Sequence, residues 1–137
     1  REALRTALAL GQRPVPIFGT TSADVPDSER YADDLFDKVL TAYSLPSTRV
    51  AVLQDWLKGR RGEVDDINGV VVREQRRLGG TVPVNEHLVA LAHRIEAGDL
   101  RPEPSNAGLL LAGAAGTAGA AGLAGAAGTV GAAGAGP

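Results

Sequence analysis

The sequence predicts an all-α fold, a helical bundle followed by a low-complexity tail, on three observations. Apolar residues recur at three- and four-residue spacing in five segments, which Gly or Pro residues separate. The clean alternation of apolar and polar residues that marks a half-buried strand is missing. Residues 107–137 contain 13 Ala and 10 Gly but no charged side chain, so all 14 basic and 16 acidic residues lie in residues 1–106.

This change of composition divides the chain. We predict that residues 1–106 form one helical domain and residues 107–137 a flexible Ala/Gly-rich tail. About 100 residues suffice for one small core but not for several domains. The uncharged run in the tail is long enough for a membrane span, but Gly and Ala supply little apolar surface and Gly opposes helix formation. We therefore predict no membrane contact.

Charge and cysteine content narrow the function classes. The net charge of −2 argues against nucleic-acid binding, because proteins that bind nucleic acids usually carry a basic excess. The absence of Cys excludes disulfides, thiolate nucleophiles and Cys-ligated zinc, and it fits the reducing cytoplasm. The chain begins with Arg1, contains no Met and shows no secretory signal pattern, so we expect a cytoplasmic fragment of a longer protein.

The first two helices are bounded by Gly and Pro. The first covers residues 1–10 and ends at Gly11. Two prolines within residues 13–19 forbid a helix there and predict an extended connector. Cap-type and acidic residues at 26–29 begin the second helix, whose apolar stripe continues until Pro46.

The third and last helices carry the clearest apolar stripes. The third is predicted to begin near Ser47 and to end before Gly59. Its buried residues are expected to be Val52, Leu53, Trp56 and Leu57. Before the last helix, Pro83 is predicted to shape a turn and Asn85 to cap the helix. Its apolar stripe is formed by Leu88, Leu91, Ala92 and Ile95.

Residues 63–78 carry two conflicting signals. Asn68-Gly69 before three valines indicates a tight hairpin turn. Val64, Ile67 and Val71 match helical spacing instead, and the acidic residues at the start and arginines at the end suit a helix macrodipole. We predict a helix with Gly inside, at a cost of about 1 kcal/mol relative to Ala. Such a Gly often marks close packing or close approach of a ligand.

The side chains that could take part in catalysis or metal binding can also be explained by structural roles. His87 and His93 are six residues apart and do not share a helical face, so we predict surface histidines and no metal site. The loop 58–62 could clamp a phosphate, but we favour a solvated loop whose positive charge balances the acidic start of the next helix. Three carboxylates there could act as acid, base or metal ligand, although we favour partners of the helix dipole: Glu63, Asp65 and Asp66.

Four short motifs follow one another at characteristic spacing. They are Leu53-Gln54-Asp55, Gly59-Arg60-Arg61, Glu63-Val64-Asp65-Asp66-Ile67-Asn68-Gly69 and Pro83-Val84-Asn85-Glu86. Together they resemble the C-terminal helical domain of the ketopantoate reductase family, the 2-dehydropantoate 2-reductases, whose pattern is L-Q-D, a basic stretch, T-E-I-D-x-I-N-G and P-x-N. The match covers residues 47–106, and the earlier helices are compatible with it. The resemblance implies a bundle like the 6-phosphogluconate dehydrogenase C-terminal domain.

The resemblance also implies a function. Family members use NADPH to reduce an α-keto acid, ketopantoate or a relative, to the 2-hydroxy acid, as in pantothenate biosynthesis. An N-terminal Rossmann domain binds the dinucleotide, and the active site lies between the two domains. Glu63 aligns with the family's active-site Glu, which contacts the cofactor. The proton-donating Lys is expected upstream of Arg1, so no catalytic residue is assigned in this chain, and the chain alone is predicted to be inactive.

Three departures from the family pattern stand out. Ala51 occupies the place of the family's substrate-binding Ser, so the hydroxyl is lost, and Thr48 one helical turn earlier is an alternative donor. Gly62 stands where the family has Thr, which removes an expected helix cap. The only lysines, Lys38 and Lys58, do not match the proton donor.

A second interpretation needs no cofactor. A non-catalytic helical interaction module with a disordered tail would explain Ala51 without a change of substrate. A homodimer is compatible with either interpretation.

Overall fold

The computed structural model describes residues 1–20, 28–45 and 47–113, so residues 114–137 of the predicted tail lie outside it. The helices are α1 (Glu2–Ala9), α2 (Ser28–Lys38) with a π-helical continuation (Val39–Tyr43), α3 (Ala51–Leu57), α4 (Val64–Arg77) and α5 (Pro83–Glu96). Residues 106–113 form a further helical segment. Because the described residues contain helices and no strand, the predicted all-α fold is confirmed.

The segment with conflicting signals is helical. α4 runs through Asn68 and Gly69, and it buries Val64, Gly69 and Val72. Its first turn holds Asp65 and Asp66 and its last turn Arg76 and Arg77, so charges of the favourable sign lie at both ends. The hairpin signal of Asn-Gly is overridden because the helix buries Val64 and Val72 as it packs against its neighbours, although Ile67 of the predicted stripe is 53% exposed.

α4 packs against α5 and against α1, and α1 also contacts α2. The buried apolar residues are Tyr31, Val64, Val72, Val82 and Ala92. The buried hydroxyl of Thr6 lies 3.0 Å from Gln75 Oε1, which joins α1 to α4. Tyr31 of α2 donates a hydrogen bond of 3.1 Å to the Val15 carbonyl oxygen, which holds the proline-rich connector against that helix.

The start of α5 differs from the prediction that Asn85 caps the last helix. Pro83 is the first residue of α5, where its fixed φ and missing N–H cost nothing. The carboxylate of Glu2 accepts hydrogen bonds from the backbone N–H groups of Val84 at 2.9 Å and Asn85 at 2.8 Å. The prediction was wrong because the capping group comes from α1, 82 positions away from Val84 in the chain.

α3 begins later than predicted, at Ala51 instead of near Ser47. Thr48 belongs to a turn, in which its hydroxyl accepts a 2.9 Å hydrogen bond from the N–H of Leu45. Leu57, which was expected to be buried, is 55% exposed. The shorter α3 therefore packs through Val52, Leu53 and Trp56, each of which is half-buried.

The predicted domain boundary at residue 106 falls at the start of the last helical segment. Ala107 and Leu110 of this segment line a cavity together with residues of α5. The flexibility of the tail remains a prediction for residues 114–137, which lie outside the described residues.

Candidate functional site

Glu63, which the resemblance assigns to the cofactor, immediately precedes α4. Its carbonyl oxygen accepts hydrogen bonds from the N–H groups of Asp66 at 3.1 Å and Ile67 at 3.0 Å, so its backbone is part of the first helical turn. The side chain is exposed, and no hydrogen bond or ion pair to it occurs within residues 1–20, 28–45 and 47–113. All acceptor positions of this carboxylate are thus open to hydroxyl groups or a cation from outside the domain.

Ala51 is the first residue of α3 and is exposed. The next residue, Val52, lies against Gly62, the residue before Glu63: a Cβ placed on Gly62 would be 3.1 Å from Val52 Cγ1. The two positions singled out by the resemblance therefore lie in adjoining segments, and both face solvent. Thr48 is exposed too, and its hydroxyl oxygen accepts a hydrogen bond within its own turn.

The loop between α3 and α4 is held by the carboxylate of Glu96 at the end of α5. Glu96 Oε1 accepts hydrogen bonds from the N–H of Gly62 at 2.8 Å and from Trp56 Nε1–H at 3.2 Å. Glu96 Oε2 lies 3.6 Å from Nε of Arg61. Sequence reasoning missed these contacts, since Glu96 lies 34 positions from Gly62 and belongs to none of the four motifs.

A second set of charges surrounds the start of α4. Arg61 forms an ion pair with Asp65, and His93 Nε2 of α5 lies 2.8 Å from Asp65 Oδ1. The hydrogen bond to His93, followed by that to Arg61, lowers the pKa of Asp65 below its usual value. Arg60 pairs with Asp55 at 3.8 Å. Arg61 therefore balances a carboxylate at the acidic start of α4, as predicted for the loop, and the phosphate clamp remains untested.

The two asparagines of the family-like motifs are brought together by the fold. Asn68 of α4 donates a 2.9 Å hydrogen bond from Nδ2 to Asn85 Oδ1 of α5. Asn85 Nδ2 in turn donates to Glu2 Oε2 at 2.6 Å. These hydrogen bonds join α1, α4 and α5. The two asparagines belong to different motifs, and both stabilise the packing of the helices.

A cavity of 380 Å³ lies between α3, α5 and the segment 106–113. Its wall is mainly apolar and includes Leu53, Leu88, Leu91, Ile95 and Leu110. A neighbouring cavity of 360 Å³ contains Arg60, Arg61 and Glu96 and shares Trp56 with the first. Neither cavity is lined by Ala51 or Glu63.

Among the described residues, no group of three or more His, Cys, Asp or Glu side chains is arranged to hold a metal ion. Within the same residues, no helix is both long enough and apolar enough to cross a membrane.

A family model, the C-terminal domain of ketopantoate reductase PanE/ApbA, matches residues 1–96. The chain belongs to this family. The match to this ketopantoate reductase domain begins one residue before α1, ahead of the motifs that first indicated it, and ends at the last residue of α5. It confirms the resemblance and the helical fold. Comparison with curated proteins and with solved structures found no match.

Proposed function

We propose that this ketopantoate reductase domain is the substrate-side half of an NADPH-dependent reductase, which converts an α-keto acid to the 2-hydroxy acid. Family membership over residues 1–96 supports this function. The observation that carries it is Glu63, whose exposed carboxylate has no partner in the described part of the chain. By the resemblance, Glu63 aligns with the Glu that contacts the cofactor in the family. The dinucleotide-binding domain and the proton-donating Lys are proposed to precede Arg1 in one cytoplasmic polypeptide.

In the proposed reaction this domain provides a carboxylate that positions other groups. When bound, NADPH supplies the hydride that reduces the carbonyl carbon. Glu63 accepts a hydrogen bond from a ribose hydroxyl or orients the ammonium of the proton-donating Lys, since a carboxylate forms strong hydrogen bonds with either group. Its contribution is positioning and electrostatics at the edge of the cleft between domains.

The test is Glu63→Gln in the polypeptide that includes the dinucleotide-binding domain. We expect kcat/KM for NADPH-dependent reduction of ketopantoate to fall about tenfold or more, because the neutral amide loses the charge-assisted bond. Asp66→Asn is the matched control, since Asp66 is also an exposed carboxylate in the first turn of α4. An unchanged rate for Glu63→Gln would remove Glu63 from the site.

Ala51 bears on substrate choice. If ketopantoate is the substrate, Ala51→Ser should raise kcat/KM for it about ten- to a hundredfold, because an unpaired buried polar group costs about 1–3 kcal/mol. If the substrate is a more apolar α-keto acid, the same change should help little or reduce the rate. Both substrates are measured side by side. No effect on either would show that position 51 does not face the substrate.

The non-catalytic interaction module is the alternative outcome. It would be favoured if the longer polypeptide neither binds NADPH nor oxidises it with either α-keto acid.

A further inference from the structure

Glu96 joins three separate elements through one carboxylate. It is the last residue of α5, and its side chain is only 14% exposed. A single oxygen, Oε1, accepts both the Gly62 N–H at 2.8 Å and Trp56 Nε1–H at 3.2 Å. The end of α5 is thereby tied to α3 and to the loop that leads into α4.

The loop between α3 and α4 is tightly packed at Gly62. A Cβ at this position would lie 3.1 Å from Val52 Cγ1 and 3.3 Å from Trp56 Nε1, so the backbone of Gly62 packs directly on α3. Packing restrains the loop on the side of α3, and the hydrogen bond to Glu96 restrains it on the side of α5. Gly62 is the last residue before Glu63.

Glu63 depends on this restraint for its position. Its side chain has no partner in the described ranges. The position of the carboxylate is therefore set by the position of the Glu63 backbone. We infer that Glu96 is a positioning residue, which fixes the carboxylate of Glu63 toward the cofactor by holding the N–H of Gly62. This inference rests on the proposed function of Glu63.

Two substitutions of Glu96 distinguish the effect of side-chain length from the effect of charge. Glu96→Asp keeps the charge but withdraws the oxygens by one methylene, so the bond to Gly62 is lost. Glu96→Gln keeps the length and an acceptor oxygen. Glu74→Gln serves as the control, because Glu74 pairs only with Arg77 among its charged neighbours in the described residues.

NADPH binding to the longer polypeptide is the first measurement. We expect Glu96→Asp to raise the Kd for NADPH about tenfold, as for loss of a hydrogen bond to a charged group. Glu96→Gln should restore the Kd to within about threefold of the original, and kcat at saturating NADPH should change less than the Kd. Equal effects of the Asp and Gln variants would overturn the inference.

A double-mutant cycle with Glu63→Gln decides whether Glu96 acts through Glu63. If it does, Glu96→Asp adds little to the Kd once Glu63 is replaced. Full additivity, or no effect of Glu96→Asp in the original background, overturns the positioning role alone. No effect of Glu63→Gln on either the Kd or kcat/KM overturns the proposed role of Glu63 instead, so the two failures are distinguishable.

Amide exchange in the 137-residue chain tests the bond without any cofactor. The N–H of Gly62 should be protected, and Glu96→Asp should accelerate its exchange about tenfold. The chain contains one Trp, so its single indole N–H resonance reports the second bond to Glu96 and should shift in the Asp variant. An unprotected Gly62 amide in the original chain would overturn the inference even if the Asp variant failed to fold.

Discussion

Gly62 is a residue at which the local structure differs from that expected for the family. The family has Thr at this place, and the sequence indicated only that a helix cap was lost. In the structure no cap replaces it, and the backbone at Gly62 instead packs against Val52 and Trp56. A side chain at Gly62 would crowd Val52 and Trp56, whereas the φ of Gly62, which is not in the left-handed region, does not itself call for glycine.

Restoring the family residue should destabilise this domain. Gly62→Thr places atoms about 3 Å from Val52 and Trp56, and overpacking of this kind costs about 1–3 kcal/mol. Gly108→Ala is the control, because a Cβ at Gly108 would meet no atom within 4 Å. Chemical denaturation of both variants measures the difference. Equal stability of the two would show that α3 can move away from the loop.

Asp65 should make stability depend on pH in the acidic range. His93 and Arg61 lower its pKa in the folded state, so its contribution is present above the pKa of the unfolded chain. It is lost as pH falls through the lower pKa of the folded state. Asp65→Asn should therefore reduce the free energy of unfolding at neutral pH, and this loss should shrink below about pH 4.

Urea denaturation at about pH 7 and about pH 2.5 checks this dependence. Asp66→Asn is the neighbouring control. A loss of stability for Asp65→Asn that is the same at both pH values would contradict the assigned ion pairs. Raised salt should weaken the effect at neutral pH, because these groups are partly exposed.

Among the elements, α5 depends most on a distant residue. Its first turn is capped by Glu2, which bonds two backbone N–H groups and Asn85 Nδ2. A carboxylate at a helix N-terminus also interacts favourably with the macrodipole. α1 therefore stabilises α5 directly, as well as through its packing on α4.

Removal of this cap should destabilise the whole domain. We expect Glu2→Ala to cost about 1–2 kcal/mol, the usual cost of losing a side-chain cap. Asp99→Ala is the control, since no hydrogen bond or ion pair of the Asp99 side chain occurs among the described residues. Thermal unfolding followed by circular dichroism measures both. A melting temperature for Glu2→Ala equal to that of the control would mean that water caps α5 equally well.

At the scale of the whole molecule, two truncations should behave differently. Deleting residues 114–137 should leave the melting temperature nearly unchanged, because Gly- and Ala-rich sequence buries little apolar area. Deleting residues 107–137 should cost about 1–2 kcal/mol, because Leu110 covers part of the apolar cavity beside α5. Calorimetry of the two truncated chains tests this. A large drop for the shorter deletion would show that residues 114–137 pack on the domain.

The sequence by itself determined the all-α fold class, the place of α4 and the family, but it did not indicate the helical segment 106–113. Apolar spacing and the charges at both ends predicted α4 despite its Asn-Gly pair, because periodicity over fourteen residues outweighs one turn signal. The four ordered motifs indicated the ketopantoate reductase domain that the match over residues 1–96 confirms. These features are local, or they depend only on order along the chain.

Only the tertiary structure decided which distant side chains meet. The cap on α5 from Glu2 and the bond from Glu96 to Gly62 join residues 82 and 34 positions apart, and neither pair carries a spacing that sequence reading detects. The sequence also did not predict the late start of α3, because a turn closed by the Thr48 hydroxyl competes with the helix there. Periodicity reports which face of a helix is apolar. The partner of each polar group on that helix is set by how the helices pack.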